Sequence, residues 1–96
     1  MPSQSVVQIT GPYCGTHVEG AQLYRAIEPL LKNHAHVVLN FADITVTSSS
    51  FFNGLFRPIT ETYGRQCLVD HLSYTELTPR HRFVLERTQR LWLPQT

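Results

Sequence analysis

The spacing of hydrophobic positions changes repeatedly along this chain, and those changes predict its elements. Three short apolar or β-branched runs without helical spacing are predicted strands: Ser5–Thr10, His36–Phe41 and Gln66–Thr75. Apolar residues at intervals of three and four predict three helices, which begin after Thr16, at about Ser49 and after Thr78. The predicted order is β-α-β-α-β-α, an α/β chain with a mostly parallel sheet that is covered by helices.

Residues typical of helix ends bracket these segments. Thr16 is followed three positions later by Glu19, which is the spacing of a capping box. Thr78-Pro79 combines an N-cap residue with a proline at the first helical position. Gly64 suits the position after a helix C-terminus, so the second helix is predicted to run from about Ser49 to Tyr63.

Three prolines limit the predicted helices. Pro29 lies inside the first helix, where it removes the hydrogen bond to the Arg25 carbonyl and is expected to kink the helix or end it early. Pro58 lies inside the second, four residues after Gly54, whose missing side chain leaves room for a kink. Pro94 is predicted to end the third helix.

The strand predictions differ in how much they specify. Consecutive apolar residues in His36–Phe41 favour a strand that is covered on both faces. In Gln66–Thr75, Asp70 and His71 break the alternation, which leaves the register of that strand open. Ile44–Thr47 is a candidate for an additional edge strand.

Length and charge narrow the function without defining it. Ninety-six residues make one domain, 1–96, with a single core. Eight basic against seven acidic residues leave a net charge of +1, so nucleic acid is not the expected partner. The sequence has no signal-peptide pattern and no run long enough to span a bilayer, so we expect a cytoplasmic protein without a membrane partner.

The two cysteines, Cys14 and Cys67, are too few for a disulfide framework and lack the spacing of a zinc site. They predict free thiols, no metal and no cofactor. Cys14 with one of the histidines would suggest a thiol nucleophile, but no Asp or Asn is placed by sequence to orient the ring. The histidines considered are His17, His71 and His81. We therefore expect no enzyme and keep a Cys14 enzyme as a third hypothesis.

Polar residues follow each predicted strand, and loops at the carboxyl ends of parallel strands meet along one edge of the sheet. The sequence therefore predicts a polar rim that suits a protein partner or an anion. Its residues are Thr16, His17, Glu19, Ser48, Ser49, Ser50, Phe52, Thr78 and Arg80. Three capped helix starts without a ligand explain the same pattern. Phe52 and Trp92 are expected in the core with Phe51 and Phe56, and exposure of either would indicate an interface.

Three consecutive serines, Ser48, Ser49 and Ser50, open the second helix. A helix N-terminus carries unsatisfied N–H groups and a partial positive charge, so a phosphate on a serine there would be stabilised. The structural alternative is that Ser49 or Ser50 caps the helix.

The central part of the chain resembles the STAS domains, the family that includes anti-sigma factor antagonists. More specifically, it is similar to the STAS-like domains of unknown function of bacteria and phages, whose pattern is VVLDF, a small gap and T-x-SF. The segments that carry the likeness are Val37–Phe41 (VVLNF), Val46-Thr47, Ser49–Phe51, Gly11 with Thr16–Gly20, and Thr78–Arg82. The likeness as a whole covers most of the chain, roughly from Val6 to Leu91.

In the antagonists, a histidine-kinase-like ATPase phosphorylates a serine at the start of the corresponding helix. The resemblance puts that serine at Ser50. Ser48 and Phe51 stand where the antagonists have an aspartate and a glycine. Asn40 replaces the aspartate of the strand, and His17 stands where the STAS-like pattern has arginine.

The resemblance thus implies a non-catalytic regulatory domain that acts through protein–protein interaction. Its phosphoacceptor candidates are Ser50 and Ser49, and a histidine-kinase-like ATPase is the implied partner. The alternative hypothesis is a nucleic-acid-associated accessory or phage-defence component that uses the C-terminal arginines. Those arginines are Arg80, Arg82, Arg87 and Arg90. Whether the domain forms a homodimer stays open.

Overall fold

A computed structural model describes residues 3–93, which have a Cα radius of gyration of 12.0 Å. In chain order the elements are β1 (Ser3–Ser5), α1 (Val6–Thr10), β2 (Tyr13–Cys14), α2 (His17–Lys32), β3 (Val37–Asn40), β4 (Val46–Thr47), α3 (Ser49–Tyr63), α4 (Gln66–Asp70), β5 (Leu72–Thr75) and α5 (Pro79–Trp92). The α/β class is confirmed, and α3 has the predicted bounds. The predicted helix end at Pro94 lies outside the described residues.

Three of the strands form a parallel sheet in the order β1-β3-β5. In its register, Val38 is aligned with Ser3 on one side and Ser73 on the other. The strands β2 and β4 form a separate parallel pair. The candidate edge strand at Ile44–Thr47 therefore exists as β4, but it pairs with β2, in the loop before α2, and not with the main sheet.

The predicted strand at Ser5–Thr10 is wrong for most of its length, because α1 occupies it from Val6 onward. Val6 is fully buried, and the Thr10 hydroxyl donates to its carbonyl at 3.1 Å. Gly11, at φ 81°, ends the helix, and its N–H donates to the Val7 carbonyl at 2.9 Å. A short apolar run fits a buried helical turn as well as a strand, and periodicity alone does not separate them.

The predicted strand at Gln66–Thr75 divides into α4 and β5. Cys67 and Leu68 are buried residues of α4, and in the sequence this short apolar pair resembles part of a strand. The His71 N–H donates to the Cys67 carbonyl at 3.0 Å and closes the helix, and β5 begins at the next residue, Leu72. The break in alternation at Asp70 and His71 marks this junction.

The prediction that β3 is covered on both faces is also wrong. Val37 and Leu39 are buried, whereas Val38 and Asn40 are only half-buried. Within the described part of the chain, therefore, one face of β3 packs on the core and the other is only partly covered. The apolar side chain of Val38 on the second face produced the continuous hydrophobic run.

Aromatic side chains from α3, together with Phe41 directly after β3, fill the centre of the core. The rings of Phe51, Phe52 and Phe56 are fully buried, and Phe41 is 1% exposed. Phe52 stacks on Phe56 at 5.7 Å, and Phe41 meets Phe51 edge-on at 6.3 Å. Trp92 is half-buried at the edge of this core.

The helices α2 and α3 cross closely at two glycines. A Cβ on Gly20 would lie 2.1 Å from the carbonyl oxygen of Phe51. A Cβ on Gly54 would lie 2.4 Å from the carbonyl oxygen of His17. Since either side chain would overlap backbone atoms, the two glycines allow the start of α2 to lie directly against α3.

Both helices continue past their internal prolines, so the early end expected at Pro29 is wrong. After Pro29, α2 runs on to Lys32. Its last turn is held by the N–H groups of Asn33 and Ala35, which both donate to the Leu30 carbonyl. With its C-terminus held in this way, α2 tolerates the one backbone hydrogen bond that Pro29 cannot donate.

Candidate interaction surface at the start of α3

Ser48, and not Ser49 or Ser50, caps α3. Its hydroxyl accepts the Phe51 N–H at 3.2 Å and donates to the Gly15 carbonyl at 2.9 Å. The expectation that one of the two later serines is the cap is therefore wrong. Ser48 has extended backbone angles and lies before the first helical residue, which is the geometry that an N-cap requires. Its second bond ties the loop before α2 to the start of α3.

Ser49 and Ser50 form the exposed first turn of α3. Among residues 3–93, neither hydroxyl has a hydrogen-bond partner. The two serines line different grooves on either side of α3. Both hydroxyls are therefore available at a helix N-terminus whose cap is already supplied by Ser48.

The groove between α2 and α3 has a volume of about 450 Å³ and contains Ser50. It is lined by His17, Ala21, Ser50, Asn53, Gly54, Arg57, Pro58 and Glu61. His17 and Ser50, which the sequence placed on one rim, are thus brought together. The groove is electrically mixed, because the Arg57 guanidinium and the Glu61 carboxylate of the same helix line it further along.

Thr16 and Glu19 form the predicted capping box at the start of α2. The Glu19 carboxylate accepts from the Thr16 N–H at 2.9 Å and from the Thr16 hydroxyl at 2.8 Å. These bonds from Thr16 lower the pKa of Glu19 below its ordinary value. In the unliganded domain these two residues therefore stabilise the helix, and Glu19 is engaged with its own helix start.

Thr78 and Arg80 do not line the groove that contains His17 and Ser50. The Thr78 hydroxyl accepts the His81 N–H at 3.1 Å and caps α5, as predicted. Arg80 lines a cavity of about 140 Å³ with Thr45, Val46, Thr47 and His81. The predicted rim thus consists of separate sites around β4 and the helix starts.

Phe52 does not belong to this surface. It is fully buried between Phe41, Phe51 and Phe56, so a partner cannot reach it in this fold. The prediction that Phe52 lies on the rim is therefore wrong, and the expectation from its helical spacing that it lies in the core is confirmed. Phe51 and Phe52, which follow the two exposed serines, turn inward because both rings pack on Phe41 and the backbone of Phe51 lies against α2.

Two residues of α3 that were not predicted as site residues contact Trp92 of α5. Asn53 lines both of them, and its side-chain oxygen accepts the Trp92 indole N–H at 2.8 Å. The Arg57 guanidinium lies 5.7 Å from the centre of the Trp92 ring. Helical spacing from Ser50 reaches both residues, but only the folded chain shows that α5 closes over them.

Cys14, the candidate nucleophile, and His81, one of the candidate histidines, are both buried. Cys14 is fully buried, burial raises the pKa of its thiol, and its sulfur lies 3.2 Å from the Thr10 hydroxyl. His81 is buried and its Nε2 lies 3.4 Å from the Thr45 carbonyl. No group of three or more metal-ligating side chains occurs in residues 3–93. Over the same residues, no helix has the length and apolar character to cross a membrane.

A sequence profile of the STAS-like domain of unknown function matches residues 19–82, which is well over half of the chain. The chain belongs to this STAS-like family. The matched range includes β3, β4 and all of α3, whereas most of α5 lies beyond it. No curated protein and no solved structure shows a significant match. The family therefore supports the fold, and the role of the STAS-like domain has to be argued from its surface.

Proposed function

We propose that this STAS-like domain is a non-catalytic regulatory module that docks a protein partner on the surface around the start of α3. The observation that carries the proposal is the exposed pair Ser49 and Ser50, which have free hydroxyls because Ser48 supplies the cap. A capped helix start has no structural need for two further hydroxyls. They are free to contact a partner or to be modified by one.

The proposed partner is a histidine-kinase-like ATPase, and Ser50 is the proposed phosphoacceptor. A phosphate on Ser50 would add about −1.5 to −2 charges to a groove that contains His17 and Arg57. The adjacent N–H groups and partial positive charge of α3 would stabilise that phosphate. The same charge would change the surface that meets the partner, so phosphorylation would switch docking without any catalytic group in the domain.

The test is to incubate the domain with ATP and a purified histidine-kinase-like ATPase from the same genome, and to measure intact mass. We expect the mass of one phosphate on the wild-type chain and on Ser49→Ala, and none on Ser50→Ala. Calorimetry should show that Ser50→Asp weakens binding of the same ATPase while Ser50→Ala retains it. An unmodified wild-type chain together with unchanged binding of Ser50→Asp would contradict the proposed switch.

A further inference from the structure

The positive charge of this domain is concentrated on α5. Its sequence has a net charge of +1, yet α5 alone carries four arginines and one glutamate. The rest of the chain is therefore acidic overall. Within residues 3–93, Arg80, Arg82 and Arg87 are exposed and form no ion pair with a carboxylate. An exposed helix with three unneutralised arginines attracts an acidic partner.

Apolar side chains are exposed on the same helix. Phe83 is 62% exposed and Leu91 is 75% exposed. Together with Val84 and Arg87 they line a groove of about 350 Å³ between α5 and α3. An exposed phenylalanine and leucine that share one groove are a feature of interaction sites rather than of an ordinary solvated surface.

The α3 side of this groove is polar and includes the proposed docking surface. Ser48, Ser49 and Asn53 line it opposite Phe83 and Leu91. A ligand in the groove would therefore meet apolar side chains along one wall and hydroxyl and amide groups along the other. Arg87 contributes to this groove and also to a neighbouring cavity with Glu86, so its guanidinium is at the border of the groove.

We infer that the α3–α5 groove binds an acidic amphipathic helix of a partner protein, an inference that rests on the proposed protein-docking function and names the chemistry of the partner. Apolar residues at helical spacing on that segment would cover Phe83 and Leu91. Its carboxylates would pair with Arg87 and its neighbours. Helices commonly bind grooves in this way, with a few apolar anchors and flanking charges.

The shape and lining of the groove favour a polypeptide over nucleic acid or lipid. A phosphate backbone would match the arginines but would leave Phe83 and Leu91 without an apolar partner. A lipid surface would match both features of α5, but it is flat and cannot enter a groove whose other wall is Ser49 and Asn53. An acidic helix satisfies the charge, the apolar wall and the concave shape together.

The experiment is a selection of random linear peptides, displayed on phage, against the purified domain. We expect enrichment of acidic sequences with apolar residues at three- and four-residue intervals. Affinities of synthetic copies of the enriched peptides are then measured by fluorescence anisotropy. Phosphatidylserine–phosphatidylcholine vesicles and single-stranded and duplex DNA are tested in parallel, and sedimentation velocity measures self-association.

Matched variants test whether the peptide binds in the α3–α5 groove. Phe83→Ser and Arg87→Glu should each weaken it about tenfold or more, as expected for residues at the centre of an interface. Arg82→Glu makes the same charge change on the same helix but outside the groove, and should weaken it by about threefold or less. Val69→Ser, which replaces an exposed apolar residue of α4, should have no effect.

Several results would overturn the inference. They are the absence of enriched acidic amphipathic peptides, equal losses from Arg82→Glu and Arg87→Glu, binding of vesicles or DNA without binding of peptides, and self-association that Phe83→Ser abolishes. The selection uses no ATPase, so its failure is distinguishable from failure of the proposed function. A phosphorylated Ser50 with no peptide binding would retain the regulatory role and remove this groove from it.

Discussion

The two sides of α3 are built differently. Against α2 the backbones touch, because Gly20 and Gly54 leave no side chain between them. At the far end of the same contact, the Tyr63 hydroxyl donates to the Glu28 carboxylate, which raises the pKa of Tyr63 to about 12. Against α5 the contact is made by side chains: the Trp92 indole N–H donates to the Asn53 side chain, and the Arg57 guanidinium lies over the Trp92 ring.

The glycine contact with α2 is structural, whereas the α5 side of α3 leaves side chains available for binding. At Gly20 and Gly54 the contact with α2 has no room for a side chain, since an added Cβ would meet backbone atoms. The α5 side leaves Phe83 and Leu91 exposed next to hydroxyl and amide groups. Ser50 lies on the first side and Ser49 on the second, at the one end of α3 where both are accessible. The rigid α2–α3 pair thus holds in place the surface that α5 completes.

The largest expected effect comes from comparing Phe52, which is buried in α3, with Phe83, which is exposed on α5. Phe52→Ala should lower the free energy of unfolding by about 3–5 kcal/mol, because a fully buried ring leaves a cavity. Phe83→Ala should change it by about 0.5 kcal/mol or less, because most of that ring is exposed. Urea denaturation measures both. Similar losses for the two variants would mean that Phe83 belongs to the core.

Adding a methyl group at Gly20 tests the close contact between α2 and α3. Gly20→Ala should lower the free energy of unfolding by about 3 kcal/mol, because its Cβ would overlap the Phe51 carbonyl oxygen and force the helices apart. Gly15→Ala is the matched control, since its nearest non-neighbouring atom, on Val46, is 4.0 Å away. If Gly20→Ala is as stable as Gly15→Ala in urea, the helices do not cross as described.

The serine cap provides a smaller effect. Ser48→Ala should cost about 1 kcal/mol, because the Phe51 N–H loses its acceptor. Ser49→Ala, one residue later, should change the free energy of unfolding by about 0.5 kcal/mol or less. Thermal and urea unfolding of both variants measure the difference. A larger loss from Ser49→Ala would show that Ser49 has a structural role and would weaken its assignment to the binding surface.

The smallest expected effect is a dependence on pH. Because the bonds from Thr16 lower the pKa of Glu19 below 4.5 in the folded chain, ionised Glu19 stabilises the fold above that pH. This stabilisation disappears as pH falls through the lowered pKa. The difference in free energy of unfolding between wild type and Glu19→Gln should therefore be present at neutral pH and vanish in acid. A difference that is constant across this range would contradict the capping bond.

Local signals made the helix starts predictable from sequence. Thr16 with Glu19, and Thr78 with Pro79, specify caps within a few residues, and the folded chain contains both. The bounds of α3 follow equally from its apolar spacing and Gly64. The STAS-like family was recognisable from the same stretches and is confirmed by the profile match.

Features that depend on distant contacts were not predictable. Val6 has the sequence character of a strand residue but lies in a buried helical turn, and β2 pairs with β4 through residues that carry no distinctive pattern. The choice of Ser48 as cap depends on its bond to Gly15 as well as on the helix. The groove at Phe83 is formed between α3 and α5, whose contact includes the distant Trp92–Asn53 hydrogen bond.

The most direct measurement is an NMR titration of the ¹⁵N-labelled domain with the proposed partner, a histidine-kinase-like ATPase from the same genome. The account predicts that the largest shift changes cluster at Ser49, Ser50 and Asn53 and along α5 from Phe83 to Leu91. The tight contact at Gly20 should change little. Largest changes at α4, or on the partly covered face of β3, would place the partner elsewhere and contradict the account.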